Sequence, residues 1–309
     1  MHLASNPAHS STSASVPIWM SICSHGHKSI KTGLSHLSPL DISYPGTVFE
    51  TADDIMASTS TKHAEDHDHI DSDPGPMYKV EWVQKLLKQI ANLLQTNDSW
   101  LGIDRSKPVR ILDYACGHGT VSSALFDAFP NALFRGLDIA TSQVKRYNHE
   151  AAKRLGLEDG SDAESGPSSR MFAIQGDLTQ PHADLSNPGW TGFDAAIISM
   201  ALHHVREPGE FLKLLRQRIR PGGVLVVIDF LQVSGSESGS QKGSSDTGTM
   251  TKLEEGMKIW PGFSLDAIHA HMSSAGCKDV EVRLYPEPIE APSEMRGFNK
   301  MYISKGTVV

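Results

Sequence analysis

The chain of 309 residues lacks most features that mark secreted, membrane or nucleic-acid-coating proteins. Its three cysteines lie far apart, so they form neither a disulfide framework nor a C-x-x-C metal pair. No apolar run approaches the roughly 18 residues that span a bilayer, and no secretory signal precedes the domain. The formal net charge of -8 disfavours a protein that coats nucleic acid. These absences predict a cytoplasmic protein with no membrane partner, no nucleic-acid partner and no metal site.

The composition divides the chain into a tail and one domain. Residues 1–73 are dominated by Ser, Thr, His and Pro without persistent periodicity, which predicts a disordered N-terminal tail. Residues 74–309 have the composition of one globular domain. Two Gly/Ser-rich acidic segments, near 156–169 and 234–249, interrupt it and are predicted to be mobile insertions.

Within the domain, amphipathic segments alternate with short apolar ones. Val83, Leu87 and Ile90 recur at helical spacing in the leading segment, 77–95. Strands are predicted at 109–115, 132–140, 170–178, 193–202 and 223–231, with helices between them and a closing strand pair at 278–289 and 299–306. This order predicts an α/β fold: a Rossmann-like, open, mostly parallel seven-stranded sheet with helices on both faces and an antiparallel C-terminal strand.

Acids and glycines stand where the first predicted strands end. In an open α/β sheet, ligands bind at the carboxyl ends of the strands. Gly117 and Gly119 follow the first strand, and glycine lets the backbone approach a ligand closely. Asp138, after the second strand, is placed to accept both hydroxyls of a ribose, and Asp177, after the third, to accept an exocyclic amine. The set predicts a nucleoside-binding site.

Two ligand classes share this layout. A dinucleotide site has the pattern G-x-G-x-x-G/A, whereas here the third small position is Ser122. An acid at Asp113 would face the pyrophosphate of a dinucleotide. It suits instead a ligand with a positive amino group and no phosphate, such as S-adenosylmethionine. An NAD-dependent oxidoreductase stays open as the less favoured alternative.

Five segments carry a family resemblance: "ILDYACGHGT", "LFRGLDIATSQV", "QGDL", "FDAAIISMALHHV" and "LRQRIRPGGVLVVIDF". Together they resemble the class I S-adenosylmethionine-dependent methyltransferases, nearest to the small-molecule branch related to ubiquinone biosynthesis. The resemblance covers roughly residues 77–231. It implies S-adenosylmethionine as cofactor and methyl transfer to an acceptor. A catalytically silent, cofactor-binding regulatory partner is a second alternative.

The same resemblance implies which residues hold the cofactor. Asp113 would lie beside its methionine moiety, Asp138 would bind the ribose, and Asp177 would meet the adenine edge. The other implied contacts are Ala115, Gly117, Gly119, Ile139, Leu178 and Ser199.

Catalytic candidates follow the fourth strand, where the acceptor would approach. In-line methyl transfer needs no enzyme nucleophile, so Cys116 is interpreted as a packing residue and His118 as a loop position near the ligand. His203 and His204 are the candidates for a general base, with His203 nearer to the strand end. The alternative is that one caps or packs the next helix while the other touches solvent.

The acceptor is predicted to be a small organic molecule. Enzymes that methylate the amino groups of bases or amides often carry Asn/Asp-Pro-Pro-Tyr after the fourth strand. Here that place reads Ser199-Met200-Ala201-Leu202, and no basic stripe supports a nucleic-acid substrate.

Overall fold

The computed structural model describes residues 75–157, 166–182, 184–232, 262–290 and 299–309, with the backbone of 251–253 and 257–259. Five α-helices lie within these residues: Glu81–Asn97 (α1), Thr120–Leu125 (α2), Thr141–Arg154 (α3), Pro208–Arg216 (α4) and Leu265–Ser274 (α5). The strands are Val109–Tyr114 (β1), Ala132–Asp138 (β2), Met171–Gln175 (β3), Phe193–Ser199 (β4), Ile219–Phe230 (β5), Thr251–Leu253 (β6), Met257–Ile259 (β7), Cys277–Leu284 (β8) and Met301–Val308 (β9). Short 3-10 helices include Met77–Lys79 before α1 and Leu202–His204 after β4.

One seven-stranded sheet organises the molecule, in the order β3-β2-β1-β4-β5-β9-β8. The first five strands are parallel, and β9 pairs antiparallel with both β5 and β8. This confirms the predicted sheet, its strand number and its antiparallel C-terminal strand. The strand order reverses between β1 and β4, so a crevice opens there at the carboxyl ends of the strands.

Helices cover both faces of the sheet, and adjacent strand residues therefore enter different cores. Ile197 packs in the cluster under α1, α2 and α3, whereas the next residue, Ile198, packs in the cluster under α4 and α5. Both side chains are fully buried. This two-sided burial explains why the parallel strands read as continuous apolar runs rather than as alternating ones.

Helix α1 lies over the crevice and is held there by contacts on two faces, one apolar and one polar. Its apolar face, including Leu86 and Ile90, is buried in the first cluster. Its polar face is tied to the chain after β8: Lys85 Nζ lies 2.6 Å from Glu290 Oε2, and Gln89 Nε2 donates to Pro288 O at 3.1 Å. The helix is thereby held at both its apolar and its polar face.

Two elements differ from their predicted form. The sequence of residues 208–220 predicts a helix that Pro221 stops. The helix ends instead at Arg216, because the sheet takes the next residues: Phe193 N donates to Arg218 O at 2.9 Å, and Ile219 pairs with Phe193. The β6–β7 hairpin follows the second predicted insertion and has no counterpart in the prediction.

The predicted tail, 1–73, lies outside the described residues, as do 158–165 of the first predicted insertion and all of the second. Among the described helices, none is both long and apolar enough to cross a bilayer. The described residues also contain no group of three or more His, Cys, Asp or Glu arranged to hold a metal ion.

Candidate functional site

A cavity opens where the strand order reverses, between the carboxyl ends of β1 and β4 and under α1. Its empty volume is about 730 Å³, part of which is continuous with solvent. Five of the predicted cofactor residues line it, namely Asp113, Ala115, Gly117, Asp138 and Ser199. Gly119 lines a neighbouring cleft that shares Leu87, His118 and Thr120 with the cavity. Ile139, Asp177 and Leu178 line neither.

The turn after β1 brings bare backbone to the cavity. Ala115, Gly117 and Gly119 all have positive φ angles, of 53°, 52° and 91°. A Cβ on Gly119 would stand 3.0 Å from Met171 Cε and 3.1 Å from Tyr147 Cδ2, so a side chain there would be crowded as well as strained by the positive φ. At Ala115 the left-handed conformation is strained for a residue with a Cβ. Strain of this kind often marks functional sites.

Asp113 presents a buried carboxyl group at this wall. Its Oδ2 accepts hydrogen bonds from Ser122 N at 3.1 Å and from Ser122 Oγ at 2.7 Å. Burial raises the pKa of Asp113 to about 7 against these bonds, and the charge of Asp138 raises it further. A cationic group on a ligand would lower the pKa of Asp113 again and stabilise its ionised form, so this wall favours a ligand with a positive charge.

Asp138 joins the turns after β1 and β2. Its Oδ2 accepts from Gly117 N at 2.9 Å and its Oδ1 from Ala140 N at 3.0 Å. Burial raises the pKa of Asp138 to about 6. A carboxylate has about four lone-pair sites, so both oxygens keep the capacity to accept a ligand hydroxyl.

Asp177 is placed differently from the two other acids. It is half-buried, and its carboxylate accepts from Thr179 N at 2.8 Å and from Thr179 Oγ1 at 2.7 Å. These two bonds stay within the turn after β3, and neither Asp177 nor Leu178 lines the cavity.

The two histidines after β4 occupy different places. His204 lines the cavity, whereas His203 is fully buried behind it and absent from the wall. Their ring centroids are 4.0 Å apart. Burial lowers the pKa of His204 well below its ordinary value, and neighbouring His203 lowers it further, so His204 is neutral at physiological pH. His204, the histidine farther from the strand end, is therefore the one that faces the cavity.

Asp229, near the end of β5, was missed by the sequence reasoning. Its Oδ1 lies 2.6 Å from His203 Nδ1, and its Oδ2 accepts from His203 N at 3.1 Å. The carboxylate thus fixes both the ring and the backbone of His203, against which His204 packs. The available signal was a lone acid inside the apolar run "VLVVIDF".

The start of the domain covers the glycine turn. Tyr78 Oη donates to Gln143 Oε1 at 2.9 Å, and its ring centroid lies 4.3 Å from that of His118. Burial raises the pKa of Tyr78 well above its ordinary value and lowers that of His118 to about 4, so both are neutral. Nothing in the local sequence singled out Gln143.

A stretch of the chain that runs through most of the parallel strands matches a known family. The family model described as a methyltransferase domain matches residues 112–225, from β1 into β5. Residues 112–225 are therefore similar to a methyltransferase domain. Members of this family bind S-adenosylmethionine.

Curated relatives share part of this chain. An uncharacterized methyltransferase of Schizosaccharomyces pombe is 29% identical over 50% of this chain and 49% of its own length. The 27-O-demethylrifamycin SV methyltransferase of Amycolatopsis mediterranei is 27% identical over 62% and 64%. A demethylmenaquinone methyltransferase of Renibacterium salmoninarum is 27% identical over 56% and 68%. The chain thus spans about half to two thirds of the length of these relatives.

Solved structures repeat the fold at lower identity. A magnesium protoporphyrin IX methyltransferase from Synechocystis PCC 6803 with bound SAM superposes with a TM-score of 0.50 at 16% identity, covering 80% of this chain and 96% of that one. The cyclase SpnF superposes equally well, at 15% identity, over 74% and 84%. A cyclase on this fold shows that architecture alone does not decide the reaction.

Proposed function

We propose that this protein transfers a methyl group from S-adenosylmethionine to a small organic acceptor by in-line displacement. The observation that carries the proposal is the shared cavity: the glycine turn and two buried carboxyl groups form one wall, and the neutral ring of His204 lies on another. The names of two curated relatives support a small organic acceptor, since they act on a rifamycin and on demethylmenaquinone. A cytoplasmic location stays a prediction from the sequence.

The residues present fit the cofactor. S-adenosylmethionine carries an amino group and a sulfonium, both cationic, and a ribose with two hydroxyls. Asp113 and the backbone of Ala115, Gly117 and Gly119 would hold the methionine moiety, with Ser199 at the facing strand end, where cofactor and acceptor would meet. Asp138 would accept from the ribose hydroxyls. Ile139, Asp177 and Leu178 would meet the adenine, and we keep these three as proposals although they lie outside the cavity wall.

The reaction needs position and one proton acceptor. Bound S-adenosylmethionine supplies a methyl group whose bond to sulfur breaks, with its electron pair going to sulfur, as an acceptor oxygen or nitrogen bonds to the methyl carbon. The neutral ring of His204 would take the proton that the acceptor loses, as a weaker base than free histidine because burial lowers its pKa. Asp229 and His203 would position that ring, because they form a rigid buried pair directly behind it.

Ligand titration tests the cofactor assignment. We expect calorimetry to detect binding of S-adenosylmethionine and S-adenosylhomocysteine but not of NAD. Asp138→Ala should weaken binding by about 1.5–3 kcal/mol, the range for hydrogen bonds to a charged group. Asp266→Ala, which removes an exposed carboxylate from α5, is the control. Tight NAD binding without S-adenosylmethionine binding would overturn the assignment.

Turnover separates an enzyme from a silent binding protein. Release of S-adenosylhomocysteine should depend on an added acceptor from a panel of hydroxylated and aminated compounds. Tight cofactor binding without release for any member of the panel would favour the regulatory alternative.

A further inference from the structure

The side of the cavity that helix α1 forms is apolar. Val83, Leu86, Leu87 and Ile90 line it from one face of α1, with the spacing of three and four residues that places side chains side by side on a helix. We call these four residues the α1 wall. Leu86 and Ile90 are almost completely buried, so the wall is anchored in the core rather than mobile at the surface.

Charge in the cavity is one-sided. Among the described residues that line it there is no Lys or Arg, whereas Asp113 and Asp138 are both buried in its wall. An anionic acceptor would therefore find no cationic side chain in the described wall, and Asp113 and Asp138 would repel it when they are ionised. A neutral acceptor needs no cationic partner and is not repelled by the carboxylates.

Two neutral polar side chains of the cavity stand at the end of β4 and just after it. The ring of His204 lies on the cavity. Ser199 Oγ is buried and has no hydrogen-bond partner among the described residues. A buried hydroxyl without a partner is costly, and a polar group on the ligand would satisfy it.

Met200 lies between these polar residues and the apolar cluster. It is 5% exposed, lines the cavity and belongs to the same hydrophobic cluster as Leu86. Its φ of 53° is strained for a residue with a side chain. The strained backbone thus holds a large, adaptable side chain at the cavity wall.

We propose that the cavity takes a neutral, largely apolar acceptor with one hydroxyl or amino group, and that Met200 limits its size. The apolar body packs on the α1 wall and Met200, and the polar group lies at Ser199 and His204. This rests on the proposed function and names the substrate class of the same site.

Binding of matched probes tests the charge preference. With S-adenosylhomocysteine saturating the full chain, 2-naphthol should bind at least ~10-fold more tightly than 2-naphthoate, because the carboxylate is repelled. Calorimetry measures both constants without turnover. Equal binding of the two probes, or binding of neither, would overturn the proposal.

A charge placed in the wall should reverse this preference. Leu87 is only half-buried, so Leu87→Lys adds a cation at the cavity with little disturbance of the core. We expect Leu87→Lys to weaken the binding of 2-naphthol and to strengthen the binding of 2-naphthoate. The ratio of their dissociation constants should shift by ~10-fold or more. Thr96→Lys adds the same charge to an exposed position of α1 and should leave the ratio unchanged. Equal shifts in both variants would contradict a local effect.

Met200→Gly tests the size limit, because it removes the side chain and suits the positive φ. The variant should improve binding of 1-hydroxypyrene relative to 2-naphthol by ~10-fold. Asp279→Gly is the matched control, since Asp279 also has a positive φ, of 51°, at an exposed position of β8. An unchanged ratio in Met200→Gly would refute the role of Met200.

The two levels of the proposal fail differently. Loss of S-adenosylhomocysteine binding would refute the proposed function. Normal S-adenosylhomocysteine binding with no preference among the aromatic probes would refute the substrate class alone.

Discussion

The proposed function assigns two parts of the cavity to cofactor and acceptor, and these two halves are built by different means. The cofactor half comes from short continuous segments, strand and turn, in which Asp113 and Gly119 stand six residues apart. The acceptor half combines α1 with residues after β4 and with Asp229 behind them, which are distant in sequence. One half combines two carboxyl groups with bare glycine backbone, and the other is apolar and neutral. Under the proposed function, local motifs therefore recognise the charged cofactor, whereas the packing of distant segments recognises the acceptor.

The largest expected difference between the two halves comes from a variant that lacks the proposed general base, His204. His204→Gln should lower kcat by ~100-fold or more, the usual effect of losing general-base catalysis. The affinity for S-adenosylmethionine should change less than about twofold, since His204 belongs to the acceptor half. Measured S-adenosylhomocysteine release and calorimetry check both values.

The control is His149→Gln, which changes an exposed histidine of α3. If His204→Gln keeps full turnover, proton acceptance passes to solvent and the acceptor half acts by positioning alone.

The second largest expected effect is the pH dependence of S-adenosylmethionine binding to the cofactor half. The pKa values of Asp113 and Asp138 are raised to about 7 and about 6, from an ordinary 3.8, because both carboxyl groups are buried. Cationic S-adenosylmethionine binds the ionised forms, so its affinity should fall at least ~10-fold between pH 8 and pH 5. Calorimetry across this range measures the change, and 2-naphthol binding should stay flat.

The same shifts predict the stability of the cofactor-free protein. Carboxyl groups with raised pKa values bind more protons in the folded than in the unfolded chain between about pH 4 and pH 7. Their contribution to the free energy of unfolding is therefore full at low pH and is lost as pH rises. Asp113→Asn should flatten both profiles, and cofactor affinity independent of pH would contradict the assignment of the charged half.

Tyr78 offers the smallest and most local test, because it lies where α1 meets the glycine turn. Tyr78→Phe removes the hydrogen bond to Gln143 and should weaken S-adenosylmethionine binding by about 0.5–1.5 kcal/mol. Tyr285→Phe is the control at the other side of α1, where the hydroxyl accepts from Asn92 at 3.4 Å. If both variants weaken S-adenosylmethionine binding equally, the effect of Tyr78→Phe comes from a loss of stability around α1 and not from a local contact with the glycine turn.

Much of the fold was predictable because its signals are local. Apolar runs identified β1 to β5, and the acids and glycines at their ends indicated the edge of the sheet that forms the site. The boundary of α4 was not predictable, because sheet pairing at Arg218 and Ile219 overrides helix propensity. The predicted cofactor residues stay predictions, and the structure brings five of them to one cavity while Asp177 closes its own turn.

The sequence by itself determined the α/β architecture and the character of the cofactor half, since both depend on residues close together in the chain. Tertiary structure alone decided which histidine faces the cavity, which acid supports its partner and which helix walls the acceptor. His203 and His204 are adjacent in sequence, yet one is buried against Asp229 and the other lines the cavity. The physical reason is that the backbone turn after β4 and the packing of β5 orient the two rings, and neither is encoded within the pair.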